Sequence, residues 1–220
     1  DGVVGGRSVG VPGTVRMLEQ AHRQHGRLAW AELFKPAIVL AEQGFAVSPR
    51  LNTLLKNEQH LKKDPVAAAY FYDAAGNPRP VGHVLKNPEL AEVLKGIAAR
   101  GSAALLQGPV AQAIVDKVTR HANPGKLTLA DLANYQPKRR APLCHDLAAA
   151  GKTVEVCGFP PPSSGAIAIG QILGILAQTP GAAMKPDAAG LPTADWLHYY
   201  TEAARLAFAD RAQYVADPDF

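Results

Sequence analysis

The sequence predicts a mostly α-helical chain that carries one β-hairpin, and three observations carry that prediction. Apolar residues recur at helical spacing in several short runs, some of which open on a polar cap followed by proline, as at Ser48-Pro49 and Asn87-Pro88. Strand-like alternation centres on Lys152-Thr153-Val154-Glu155-Val156, beside the turn Ala148-Ala149-Ala150-Gly151. Pro160, Pro161 and Pro162 then separate that strand from an apolar, helix-length run with Ile167, Gln171, Leu173, Ile175 and Leu176. Proline fixes φ and removes a donor, so neither strand nor helix passes through three in a row.

The 220 residues are 47% apolar and 19% charged, an ordinary soluble composition. They suffice for a substantial core, and a single partial domain over residues 1–220 without internal boundary is expected. Net charge is +4, with basic residues scattered apart from Lys138-Arg139-Arg140 and Lys62-Lys63, which leaves no nucleic-acid footprint. No uninterrupted apolar stretch is long enough for a membrane span. The start, Asp1-Gly2-Val3-Val4-Gly5-Gly6, is neither an initiator methionine nor a signal peptide, and the end, Asp217-Pro218-Asp219-Phe220, stops in mid-phrase. The chain therefore reads as a piece of a longer protein.

In order, the segment from Gly5 to Gly13 is a glycine-rich turn and not a phosphate loop, since Val11-Pro12 stand where Lys and Ser or Thr would follow. Pro12 is expected at or near the first turn of a helix whose buried face is Val11, Val15, Leu18 and His22, ending at Gly26. His22 and His25 read as solvated or capping residues and not as metal ligands, because the metalloprotease carboxylate is missing between them. Residues 28–44 give two short helical pieces, the second from Pro36 to Gly44. Ser48-Pro49 opens another, with Leu51, Leu54 and Leu55. Residues 64–88 read as an excursion with a turn, with only the apolar cluster Tyr70-Phe71-Tyr72.

Asn87-Pro88-Glu89 is a strong helix start, its stripe Leu90, Val93, Leu94 and Ile97, its stop Gly101. A helix over 109–121 with Val110, Ala113, Ile114 and Val118 follows, then a short one capped by Thr128 and Asp131 and ending near Tyr135. The last runs from Pro192-Thr193 to about Tyr214 through Trp196, Tyr200, Ala203, Ala207 and Arg211. His198 and Glu202 on it form an exposed or capping pair. Cys144 and Cys157 flank the hairpin turn; the right register would allow a disulfide, a one-residue slip would forbid it, and two free, half-buried thiols are the expectation. At the joint, Ser163 or Ser164 should cap the helix and Gly165 should admit a close backbone.

Pro160, Pro161, Pro162, Ser163, Ser164, Gly165 and Ala166 resemble the proline-serine-glycine signature of the γ-glutamyltranspeptidase family, whose usual form ends in two glycines, so Ala166 departs from it. Other phrases resemble the same family in the same order: Val9-Gly10-Val11-Pro12-Gly13, Gly26-Arg27-Leu28, Pro36-Ala37-Ile38, Gly44-Phe45, Leu127 to Leu132 with Tyr135, and Glu202-Ala203 with Ala209-Asp210-Arg211 and the terminal Asp217-Pro218-Asp219-Phe220. The poorest fit is residues 142–158, where Leu147-Ala148-Ala149-Ala150 stands in place of a Tyr-Arg-Gly phrase.

The resemblance implies a four-layer α/β/β/α sandwich of the N-terminal-nucleophile hydrolase class, with this chain the middle-to-late part of the large subunit. It implies a precursor that cleaves itself, a threonine nucleophile at the new N-terminus of the small subunit, and transfer or hydrolysis of γ-glutamyl groups without metal or organic cofactor. The partners implied are the missing small subunit, the earlier part of the large subunit and a small γ-glutamyl substrate. A periplasmic or extracellular location is implied by relatives. The chain has no Thr-Thr pair, so the nucleophile phrase is absent and no catalytic, substrate-binding or metal residue is assigned within it. Two alternatives stay open: a related cephalosporin-type acylase or polyglutamate-cleaving enzyme, and a non-catalytic helical binding module.

Overall fold

A computed structural model describes residues 2–149 and 151–219. Asp1, Ala150 and Phe220, which belong to phrases named above, lie outside the described residues. Residue contacts divide the chain into two compact units, Asp1–Pro137 and Lys138–Phe220.

The first unit is a succession of helices: α1 (Thr14–His25), α2 (Lys35–Gln43), α3 (Pro49–Asn57), α4 (Pro65–Phe71), α5 (Pro88–Arg100), α6 (Ala103–Leu106), α7 (Gly108–Thr119) and α8 (Leu129–Asn134). Strands β1 (Phe45–Ala46) and β2 (Val84–Leu85) make a two-residue antiparallel ladder that the sequence reading did not anticipate. The starts of α3, α4, α5 and α8 carry side-chain caps. The side chain of Ser48 accepts from the Leu51 amide, Asn87 from Leu90, and Thr128 from Asp131, whose carboxylate bonds back to close a capping box. Gly44 closes α2 at φ 89°, a conformation that favours glycine.

Two expectations for this unit are corrected. Residues 64–88 hold a helix, α4, because Asp64-Pro65 is the same cap-proline start as Asn87-Pro88, and Asp64 accepts from the Val66 and Ala67 amides. The expected turn does lie beyond it, with Asp73 accepting from the amides of Ala75 and Asn77. In α1 the first helical residue is Thr14, so Pro12 stands just ahead of the first turn, near it as expected, but the buried face differs. Leu18 is 50% exposed, and the half-buried face carries Val15, Arg16, Glu19 and His22. The charged pair turns inward because polar partners wait there, as described below.

The core of this unit gathers Leu106, Ala111, Val118, Leu127 and Leu132, with Val11, Leu105, Ile114 and Val115 against it. The predicted stripes of α5 and α7 are offset by small residues. Ala91 and Ala111 are wholly buried, while Leu90 and Ala113 face outward. Gly6 is glycine for a steric reason: a Cβ there would stand 2.0 Å from the Val118 carbonyl oxygen. Buried Tyr72 donates to the Leu55 carbonyl at 3.0 Å, and Trp30 to that of Ile97 at 3.0 Å. His22 caps the loop after α1 through the Leu28 carbonyl at 2.8 Å, in line with the capping role expected of it.

The second unit consists of the hairpin β3 (Leu143–Ala149) and β4 (Lys152–Gly158), then α9 (Gly165–Ala177), a 3-10 turn at Pro180–Ala183, and α10 (Ala194–Tyr214). The register runs from Leu143 opposite Gly158 to Ala149 opposite Lys152, which sets Cys144 directly against Cys157. Cys144 and Cys157 form a disulfide, so the expected free, half-buried thiols are corrected to an exposed bonded pair. Helix α9 packs on α10 around Ile172, Ala203 and Ala207. Thr193 caps α10, and Trp196 and Tyr200 stack along it at 5.4 Å. Lys138 and Arg140 of the basic run form ion pairs with Asp219, and Arg140 also with Asp217. Among the described residues no helix is long and apolar enough to cross a membrane.

Candidate functional site: the signature turn and a polar cleft

The signature residues lie in the second unit, between β4 and α9. After Gly158 the chain runs through Pro160 and Pro161, crosses a cis peptide into Pro162, and turns as the Ser163 amide bonds the Pro160 carbonyl at 3.1 Å. Ser164 occupies the N-cap position of α9, yet its side chain caps nothing. Its hydroxyl instead accepts from Arg211 Nε of α10 at 2.7 Å. The cap expected of Ser163 or Ser164 is therefore corrected: position is right, but a charged donor outcompetes the backbone amide for the oxygen. About two turns of helix along, Gln171 Nε2 donates to Asp210 Oδ2 at 2.8 Å. The Asp210-Arg211 phrase thus reaches both the start and the middle of α9.

Close approaches also differ from expectation. A Cβ on Gly165 would meet nothing nearer than 4.0 Å, whereas one on Gly170 would come within 2.2 Å of the His145 ring. Gly170 is thus what lets β3 lie tightly on α9. The His145 Nε2 and Gln171 Oε1 atoms are buried there without hydrogen-bond partners among the described residues. Gly158 faces Ala166 in the same way, at 3.0 Å from a built Cβ to the Ala166 methyl, which is how the extra methyl of the departing signature fits.

The first unit holds a polar cleft of about 450 Å³ between α1, the α5–α6 junction and the residues after α8. Buried Ser102 is its hinge, because its amide donates to Glu19 Oε2 at 2.9 Å and its hydroxyl accepts from Arg16 Nε at 3.4 Å. Arg16 Nη1 donates to the carbonyls of Ala133, at 3.1 Å, and Tyr135. Burial alone would raise the Glu19 carboxyl, but bonds from Ser102 and the Arg23 guanidinium outweigh it and hold the group below its ordinary value. Nothing in the sequence pattern announced this cluster, since its members come from segments more than 80 residues apart.

His198 and Glu202 are exposed on α10, and Glu202 pairs with Arg205 at 3.1 Å. Among the described residues the group with a metal-like ligand set is Cys144, Glu155 and Cys157. Its two sulfurs are bonded to each other, so it offers no thiolate pair.

The family described as gamma-glutamyltranspeptidase matches residues 1–220. The Acylase ACY 1 proenzyme of Pseudomonas sp. (strain V22) is 38% identical over 221 residues, covering 100% of this chain and 38% of that protein. The glutathione hydrolase proenzyme of Pseudomonas aeruginosa is 35% identical over 222 residues, covering 99% of this chain and 37% of that protein. The crystal structure of Helicobacter pylori gamma-glutamyltranspeptidase superposes with a TM-score of 0.86 at 31% identity, over 100% of this chain and 60% of that one. The chain spans about two fifths of the length of these curated relatives. Its mostly helical make-up with one long hairpin is that of a part of their fold, and the chain belongs to the γ-glutamyltranspeptidase family.

Proposed function

We propose that this chain is the middle-to-late part of the large subunit of a γ-glutamyltransferase or glutathione hydrolase, a single partial domain that scaffolds a reaction whose nucleophile lies on another segment. The observation that carries the reading is a family match over every residue of a chain that spans 38% of a curated relative. Surface area supports it. The chain exposes 15035 Å² at 23.2 kDa. A compact monomer of that mass would expose about 9,700 Å², and two separately compact bodies of the units' sizes about 11,600 Å². Phe159, Leu206 and Phe208 are 74%, 59% and 55% exposed, as side chains awaiting cover would be.

In this reading the threonine at the new N-terminus of the small subunit attacks the γ-carbonyl of the substrate. Its own α-amine takes the hydroxyl proton, and the leaving amine departs with a proton. Water then resolves the ester to glutamate, or an amino-acid amine resolves it to a new γ-glutamyl amide. The proposed partners are the remaining subunit segments and a small γ-glutamyl donor, with no nucleic acid. The proposed compartment is the periplasm or the exterior. There the exposed disulfide would persist. The 38% identity to an acylase proenzyme favours a second reading, in which the acyl group is a related dicarboxylic one.

The test uses the intact parent protein. A γ-glutamyl anilide and a glutaryl amide are offered in turn, the acyl-enzyme is trapped by acid quench, and the modified peptide is located by mass. The γ-glutamyl label is expected outside residues 1–220; a stoichiometric label within them overturns the proposal, and acylation by the glutaryl amide alone selects the acylase.

A further inference from the structure

The cleft of the first unit has an unbalanced charge. Arg16, Arg23 and Arg100 line it against one acid, Glu19, a surplus of two positive charges. Both oxygens of that acid are spent, Oε1 on Arg23 Nη2 at 2.6 Å and Oε2 on the Ser102 amide. Arg16 is held by two carbonyls and the Ser102 hydroxyl, which use Nε and Nη1 and leave Nη2 without a partner among the described residues and open to solvent. Among the described residues Arg100 has no hydrogen-bond or ion-pair partner. A guanidinium clamped on one edge and free on the other loses little rotamer freedom when it takes a ligand. The volume, about 450 Å³, suits a small molecule.

We propose that this cleft binds a small oxyanion of charge near minus two, a dicarboxylate or a phosphate, between Arg16 Nη2, Arg100 and Arg23. Arg16 supplies the fixed donor, Arg100 and Arg23 close from the rim, and the side-chain amide of Gln136 completes the lining. Ser102 holds Glu19 back on Arg23, so that the acid does not occupy the position the anion takes. The proposal is independent of the γ-glutamyl reading, because binding is read without substrate.

The experiment titrates the intact parent protein with inorganic phosphate and with succinate by calorimetry, at constant ionic strength against chloride. Saturable binding of either is expected; phosphate alone names the phosphate chemistry, succinate alone the carboxylate. Arg100→Gln should weaken that binding about fivefold or more, as the loss of one charge-assisted contact implies. Arg50→Gln, which removes a charge from the same unit away from the cleft, should leave it unchanged. Arg23→Gln provides a second cleft variant should Arg100→Gln fold poorly. No binding beyond chloride, or equal loss in the cleft variants and Arg50→Gln, overturns the proposal.

Discussion

In the first unit, polar side chains at the starts of α3, α4, α5 and α8 accept from amides of the first turn, whereas in the second Thr193 caps α10 in that way but the serine at the start of α9 is turned away to an arginine. Ser48, Asp64, Asn87 and Thr128 each accept amide bonds, while Ser164 accepts from Arg211. The cores differ in the same sense. The first is a cluster of five buried residues that includes Leu106 and Leu132 at zero exposure, and the second is Ile172 with two alanines. The first unit satisfies its own local chemistry. The second is held by longer tethers, a disulfide and two side-chain bonds between helices, while both units leave large apolar side chains in solvent, Leu28 and Val66 in the first and Phe159 and Leu206 in the second.

Several changes would break or sharpen this contrast. Leu132→Ala should cost about 3–4 kcal/mol in chemical denaturation, since a fully buried leucine leaves a cavity. Leu206→Ala, at a position 59% exposed, should be near neutral in the chain alone, within about 0.5 kcal/mol. A comparable cost for the two would erase the difference between the cores. Replacing both Cys144 and Cys157 by serine should cost about 2–3 kcal/mol, because the bond closes a loop with sequence separation 13. Hydrogen exchange should place that loss in the hairpin, and a loss spread over the first unit would contradict it.

A cap substitution separates the units more finely. Asn87→Ala should cost about 1 kcal/mol, as the Leu90 amide loses its acceptor. Ser164→Ala should cost less, because no amide depends on that hydroxyl and the exposed Arg211 is rehydrated when it is lost. The smallest effect is acid sensitivity. Lys138 and Arg140 hold Asp219, and Thr128 holds Asp131, below their ordinary carboxyl range, as Ser102 and Arg23 do Glu19. Unfolded carboxyls therefore bind protons first. Stability contributed by these groups is complete above 4.5 and lost as pH falls from 4.5 for Glu19 and from 3.8 for the aspartates. A melting temperature that rises on acidification through that window would contradict the sign.

Where a structural signal is local, the sequence carried it. Asn87-Pro88 and Thr128 with Asp131 gave helix starts to the residue, and Gly26, Gly44 and Gly101 gave the stops. Helix α4 was overlooked although Asp64-Pro65 had the same form, because the glycines and prolines after it dominate the window. Stripe positions slipped where alanine, not leucine, makes the close contact, as at Ala91 and Ala111. The signature was legible through resemblance, but the diversion of Ser164 to Arg211 joins residues 47 apart, and no periodicity encodes that. The arginine cleft was invisible for the same reason, its charged face on α1 resembling a solvated one until Ser102 and two carbonyls were seen to meet it.

The claim that this chain is scaffold and not catalyst is met most directly by one assay. Release from a γ-glutamyl anilide is measured for the purified chain, then for the chain coexpressed with the remaining segments of its parent. The account predicts none from the chain alone and restored turnover on coexpression; robust turnover by the chain alone would contradict it.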